Sequence, residues 1–304
     1  MDIKNKNVLI TGASRGIGCY IAKAVAQYGG NVALLALPSD LKLLRNLEKE
    51  LMPFNIKAKC FVADLSDYKQ MTNTTESILN EFGKIDILIN NAAISGIDIF
   101  EYQTEQQITD IITVNLTAPI LLAKKLLPTM ISQKSGHIST VSSYAGKIGA
   151  PYQSVYSSTK AGLIKWTLAM ERELKGSGIS FSVISPSYVS QSGMYFDTLN
   201  KANYKLNTPI TVGEVTPQKV ADAVIRSILK NKTDIVVGSP LLRIFAAINE
   251  LTPYLVTKAF DLLNLSKYSK KLALVHRDTH KRDKGVINNG LIPLHTMKMP
   301  KRYN

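Results

Sequence analysis

The sequence predicts a doubly wound α/β fold built on a seven-stranded parallel sheet, followed by a helical C-terminal extension. Three observations carry that expectation. Over the first 238 residues, short β-branched runs alternate with longer amphipathic stretches. The short runs are apolar almost throughout, as in strands covered by helices on both faces. Parallel strands need crossovers, and right-handed crossovers make a doubly wound order the natural solution.

Strands are expected at Val8–Thr11, Val32–Leu37, Lys59–Val62, Ile85–Asn90, His137–Val141, Ser180–Ile184 and Asp234–Val237. Helical periodicity fills the gaps at Gly16–Tyr28, Leu41–Leu51, Tyr68–Phe82, Glu105–Ser132, Val155–Lys175 and Pro217–Lys230. After Gly238 the pattern changes. Leu241, Ile244, Phe245, Ile248 and Leu251 share one helical face, and Thr252-Pro253 reads as a cap with a first-turn proline. A second helix carries Leu255, Val256, Phe260 and Leu263, and from Ser266 lysines, Asn289-Gly290 and scattered apolar residues predict a loop-rich, partly disordered tail. The expected organisation is residues 1–240 as one domain holding cofactor and substrate sites together, with 241–304 as an amphipathic, basic extension.

Composition narrows the class. With 304 residues, 45% of them hydrophobic, the chain can bury a full core, which excludes disorder as its main state. Two cysteines, Cys19 and Cys60, cannot form a disulfide scaffold, and MDIKNKNVLI lacks the apolar core of a signal peptide, so a cytoplasmic setting is expected. No run reaches 18 uninterrupted apolar residues. Ala118–Met130 is broken by Lys124 and Lys125, and Leu241–Leu265 by Arg243, Glu250, Lys258 and Asp261. The net charge is +14, and the stretch from Leu241 to Asn304 holds twelve Lys/Arg against four Asp/Glu. Such a basic end suits an anionic membrane face, nucleic acid, or simply solvent. No nucleic-acid reader motif or aromatic-interleaved basic strip accompanies it, so nucleic acid is not expected as a partner.

Val8-Leu9-Ile10 runs directly into Thr11-Gly12-Ala13-Ser14-Arg15-Gly16-Ile17-Gly18, which opens a helix. Small residues are needed there, because a pyrophosphate meets helix N-terminal N–H groups only where no side chain blocks it. The TGxxxGxG pattern resembles the nucleotide loop of the short-chain dehydrogenase/reductase (SDR) family, whose fold is a Rossmann fold. Further residues extend the resemblance over roughly residues 3–240. Asn90-Asn91-Ala92-Ala93 looks like the family's NNAG, with Ala93 in place of glycine. Asp64 in Val62-Ala63-Asp64-Leu65 matches the residue that meets the adenine amine, and Asn115 matches the helix asparagine. Ser143, Tyr156 and Lys160 match the Ser…YxxxK set.

By this resemblance, Gly12, Ser14, Arg15, Gly16, Ile17, Gly18, Asp64, Leu65, Asn91, Ala92, Pro186 and Val189, with Tyr156 and Lys160, hold the cofactor. NADP is expected over NAD. The second strand ends Leu34-Leu35-Ala36-Leu37-Pro38 without a carboxylate to repel a 2′-phosphate, and Arg15 can pair with one. The basic residue often found at the Leu37 position is missing.

Lys160 lies one helical turn beyond Tyr156 on the same face. An ammonium there is expected to lower the phenol's pKa from about 10 towards the working range. Ser143 would hold the substrate oxygen, and Asn115 a water relaying protons through Lys160. The reaction implied is hydride transfer between the nicotinamide and a carbonyl or alcohol carbon. Single residues carry little: Tyr-x-x-x-Lys is commonly an exposed helix face, Ser143 a cap, Asn115 an ordinary hydrogen-bonder. Their joint spacing favours catalysis.

One departure stands out. Pro186-Ser187 replaces the family's Pro-Gly, so a positive φ at Ser187 would add strain, and Gln191 stands where threonine often occurs, leaving Ser190 and Ser192 as substitutes. Gly193-Met194-Tyr195-Phe196 opens a substrate loop whose apolar residues suit a lipophilic aldehyde, ketone or 3-oxoacyl substrate, or simple packing. The extension is expected at the pocket mouth, at a membrane interface, or packed on the domain or across a subunit interface. His276, His280 and His295 lack metal-ligand spacing, so no metal is expected. A homodimer or homotetramer pairing Glu105–Ser132 and Val155–Lys175 is implied by the resemblance. A second reading, from another class, is a non-catalytic NADP-binding sensor or scaffold using its basic tail for partners; the complete Asn–Ser–Tyr–Lys set favours the enzyme.

Overall fold

A computed structural model describes residues 1–191, 194–201 and 213–283. The order begins β1 (Asn7–Thr11), α1 (Gly16–Gln27), β2 (Asn31–Ala36), α2 (Leu41–Leu51), β3 (Ala58–Val62), α3 (Tyr68–Phe82) and β4 (Ile87–Asn90). It continues α4 (Glu105–Ile112), α5 (Ala118–Ser132), β5 (Gly136–Val141), α6 (Ala145–Ile148), α7 (Ser154–Glu173), β6 (Ile179–Pro186) and β7 (Tyr188–Val189). The remainder is α8 (Met194–Lys201), β8 (Glu214–Val215), α9 (Pro217–Lys230), β9 (Asp234–Val237), α10 (Leu241–Leu251), α11 (Pro253–Leu262) and α12 (Leu265–Asp283).

All seven expected strands form one parallel sheet in the order β3-β2-β1-β4-β5-β6-β9. The order reverses at β1, which pairs β2 on one side and β4 on the other, so a crevice opens beyond their carboxyl ends. Two apolar layers cover the sheet. On one face Ile21, Val25, Leu44, Leu47, Val224 and Ile228 join α1, α2 and α9 to it. On the other Met71, Ile78, Leu122, Leu126 and Met130 bring α3 and α5 against it. A short second pair, β7 with β8, branches off just past β6.

Three expectations need correcting. Glu105–Ser132 is continuous but not uniform: a π-turn at Thr113–Thr117 separates α4 from α5. By length and composition this helix could cross a membrane, yet the sheet accounts for its apolar face. The stretch after Ser266 is not loop as far as Asp283: Leu265, Tyr268, Leu272 and Val275 recur at helical spacing and are buried, which folds α12 with the lysines outward. Its remainder, with Asn289, Gly290 and His295, lies outside the described residues. In α10 the buried residue is Leu242, while Leu241, Ile244, Ile248 and Leu251 are exposed, so of the placements open to the extension, packing of that face on the domain does not hold.

The extension is tied to the first 240 residues by polar contacts as well. Tyr144 Oη donates to the Leu242 carbonyl at 3.0 Å, Asn249 Nδ2 donates to the Lys147 carbonyl at 3.3 Å, and Lys165 pairs with Glu250 at 3.3 Å.

Beneath β5 and β6 a polar chain crosses the core. His137 Nε2 lies 2.8 Å from Ser182 Oγ, which donates to Ser227 Oγ at 3.0 Å. Burial pushes the His137 imidazole down to about 3. The unfolded chain, with an ordinary imidazole, binds a proton that the folded one refuses, so stability falls as pH drops below about 6.5. Between pH 6.5 and 5 this one group should remove on the order of 1.4 kcal/mol per pH unit. Urea unfolding across that range should show the loss, and His137→Gln should flatten it.

Candidate active site

The glycine loop joins β1 to α1 with almost no side chain on it. Gly12 and Gly16 sit at φ +65° and +58°, where a Cβ is strained. A Cβ at Gly18 would overlap the Gly12 carbonyl oxygen, and one at Gly12 would come within 2.9 Å of Ala92 Cα. Arg15, at the N-cap of α1, makes no side-chain cap, so the first N–H groups of the helix face the loop bare. That cradle of small residues and main-chain donors fits a pyrophosphate.

Thr11 locks the loop to the strand beside it. Its Oγ1 accepts from the main-chain N–H groups of both Asn91 and Ala92 at 3.0 Å, while Asn91 Nδ2 donates to the Thr11 and Gly12 carbonyls at 2.9 and 3.1 Å. Asn91 is therefore a brace for the loop as well as a cavity residue. Asp64 follows β3, with Oδ1 accepting from the Ser66 N–H and hydroxyl, and Leu65 is buried beneath it.

Asp40 belongs to this region, although its sequence position at the start of α2 suggests only a helix cap. It makes no such cap. Its Oδ2 accepts from Ser14 Oγ at 2.7 Å and lies 3.8 Å from Arg15 Nε. A carboxylate thus stands beside Arg15, two residues past the stretch where the sequence shows none.

Ser143, Tyr156 and Lys160 converge beyond β5. Ser143 Oγ accepts from the Ala145 N–H at 3.2 Å and hydrogen-bonds the Tyr156 hydroxyl. Lys160, 2% exposed, donates from Nζ to the Val141 carbonyl at 3.0 Å, with its ammonium 5.6 Å from the centre of the Tyr156 ring. The lysine lies on the phenol's side of the crevice. Its electrostatic effect is smaller than the spacing suggests. Burial pushes the Tyr156 hydroxyl up to about 12, against the opposing Ser143 hydrogen bond, and pushes Lys160 down to about 8. Desolvation outweighs the cation because the ammonium bonds Val141 and lies over the ring instead of meeting the oxygen.

Asn115 sits in the π-turn and is fully buried. Its Oδ1 accepts from the Ile94 N–H at 2.8 Å and its Nδ2 donates to the Ile94 carbonyl at 3.0 Å. Both side-chain atoms are bound to main chain, so the water-holding role expected of this residue does not rest on a free amide.

Ile17, Asn91, Ser143, Tyr156, Lys160, Pro186 and Val189 line one cavity of about 190 Å³. Its far wall comes from residues no motif marked: Ile97, Tyr188, Leu242, Phe245, Leu265 and Tyr268. The extension thus completes the chamber. Ser187 shows no positive φ, so the strain considered for it is absent; Gln191 is the residue there in the left-handed region, at +68°. Ser190 turns its hydroxyl to the Val215 carbonyl, away from the role of substitute threonine. Ser192 and Gly193 lie outside the described residues. No cluster of metal-binding side chains occurs among the described residues.

Comparison with known proteins agrees with this geometry. A sequence profile of the short chain dehydrogenase family matches residues 6–202. The ketoacyl reductase HetN of Nostoc sp. is 35% identical over 277 residues, covering 89% of this chain and 93% of its own. The chain belongs to the short chain dehydrogenase family. It is accordingly an oxidoreductase acting on CH–OH or C=O groups. The 3-oxoacyl-(acyl-carrier-protein) reductase FabG of Staphylococcus aureus is 34% identical over 184 residues, 60% of this chain and 74% of that protein. A metagenomic short-chain oxidoreductase solved with NADP superposes with a TM-score of 0.64 at 27% identity, covering 78% of this chain and 98% of that one. A short-chain dehydrogenase from Sphingobium yanoikuyae solved with NADPH gives 0.68 at 27% identity, covering 76% and 87%.

Because a methyl at position 18 would strike loop backbone that cannot yield, Gly18→Ala should weaken nicotinamide dinucleotide binding by at least about 10-fold. Titration of cofactor fluorescence would measure it.

Proposed function

We propose that this chain is an NADPH-dependent reductase of a lipophilic ketone or 3-oxoacyl substrate. The observation that carries the reading is the convergence of Ser143, Tyr156 and the buried Lys160 on one chamber walled largely by apolar side chains. When bound, the dinucleotide exchanges a hydride with the substrate carbon. The protein's residues do the rest. The Ser143 hydroxyl donates to the substrate oxygen and holds it against Tyr156. As negative charge builds on that oxygen, Tyr156 Oη gives up its proton. A phenol held near 12 keeps its proton at neutral pH and still delivers it to an alkoxide, a stronger base. Lys160, near 8, is mostly charged at neutral pH and offsets the negative charge left on the tyrosine.

Arg15 is two-thirds exposed and stands where a 2′-phosphate would meet it, supporting NADP; the relatives solved with NADP or NADPH support the same choice. Asp40 works against it, drawing on Arg15 and Ser14 and repelling the phosphate. The ketoacyl reductase relatives, with the apolar wall from α10 and α12, support a lipophilic acyl substrate.

NADPH oxidation with a panel of 3-oxoacyl thioesters and ketones tests this reading. Tyr156→Phe should lower kcat/KM by about 10²–10⁴-fold while NADPH still binds. Unchanged turnover would remove Tyr156 as the acid, and no turnover by the wild-type protein on any substrate would revive the non-catalytic sensor. Asp40→Asn should shift the NADPH-to-NADH ratio of kcat/KM upwards by about 10-fold, one lost like-charge repulsion near a partly exposed site.

A further inference from the structure

The extension has a second apolar face that the chamber does not use. Leu242, Phe245 and Leu265 point into the cavity. Beside that edge of α10, Leu241, Ile244, Ile248 and Leu251 follow one another at helical spacing and face outwards, Leu251 being 82% exposed. The stripe continues through Tyr254, Leu255 and Leu262 of α11. Helices apolar on two faces are either enclosed by protein or meet lipid. Here the outer face is uncovered among the described residues.

Its surroundings select the occupant. Arg243 of α10 and Lys258 of α11 are exposed on the helices that carry the stripe, and Lys258 Nζ lies 4.6 Å over the Tyr254 ring, a lysine and tyrosine disposed as at a membrane interface. The carboxylate of Glu250 is paired with Lys165. A second copy of the same stripe would bring like charge to the shared surface, whereas anionic headgroups complement these cations. The stripe also runs into the chamber, since Leu263 is both exposed and part of the cavity wall.

We infer that α10 and α11 dock the protein on an anionic phospholipid surface, with the mouth of the chamber against the bilayer. The docking itself stands on the surface alone. That the substrate enters from the lipid rests on the reductase reading given above, and an apolar acyl chain partitioned into the bilayer is the cargo this placement serves.

Flotation of the full chain with vesicles of equal parts phosphatidylglycerol and phosphatidylcholine, and with phosphatidylcholine alone, tests the docking. The wild-type protein should float with the anionic vesicles and at least about 10-fold less with the zwitterionic ones. Leu251→Glu/Leu255→Glu should lose about 10-fold of the anionic binding, with melting temperature and NADPH oxidation by a short water-soluble ketone unchanged. Ile244→Glu gives a second, independent variant. Absence of wild-type binding, or equal binding by the variants, overturns the inference. So does an oligomer that dissociates in the variants without any vesicle binding, which would assign the stripe to a second copy. If neither the short ketone nor any 3-oxoacyl thioester or ketone of the panel is turned over while flotation and its loss in the variants persist, the reductase reading fails and the docking stands.

Discussion

The site depends on how one buried lysine is satisfied. An ammonium removed from water must find hydrogen-bond acceptors or lose its charge. Lys160 finds the carbonyl of Val141, the last residue of β5, while its own carbonyl accepts from Ser142 Oγ at 2.8 Å. One residue of α7 is thus bound at both ends to the carboxyl end of β5. Gly146 lets the short helix α6 press on the same turn, where a Cβ would come within 2.6 Å of the Lys160 main chain. With that register set, Ser143 follows Ser142 by one residue and Tyr156 precedes Lys160 by one turn. Their meeting is a consequence of the lysine's anchorage.

Desolvation and charge oppose each other here, and desolvation prevails. An exposed Tyr-x-x-x-Lys pair would make a more acidic phenol; the enclosed one makes a phenol that holds its proton. The enclosure comes partly from the extension, because α10 and α12 wall the chamber from the side that the sheet leaves open. Residues 241–283 therefore form part of the enclosure around the Ser143–Tyr156–Lys160 group.

Much of this was legible because periodicity and spacing report main-chain geometry. The near-continuous apolar runs placed each of the seven strands within two residues, since both faces of a parallel sheet are covered. The Ser…YxxxK set marked residues that share one cavity, which Ile17 of the TGxxxGxG loop also lines. What stayed hidden involved side chains crossing between elements. Asp40 reads as a cap because Ser-Asp before a helix usually is one, and only the fold shows it turned to Ser14 and Arg15. The π-turn at Asn115 leaves the amphipathic pattern of Glu105–Ser132 intact, so no local signal marks it. In α12 the lysines mask a buried stripe that repeats only every three or four residues.

The same limit explains the two faces of α10. Hydrophobic spacing identifies an apolar face but not which body covers it. Leu241, Ile244, Ile248 and Leu251 form the longer stripe, yet the single turn of Leu242 and Phe245 meets the core. The Tyr144 hydroxyl anchors that turn, donating to the Leu242 carbonyl from the segment just past β5. A buried tyrosine needs a partner for its hydroxyl, and this carbonyl is the one within reach. That bond and the burial of Leu242 hold the shorter apolar edge of α10 at the chamber, while the longer stripe stays exposed.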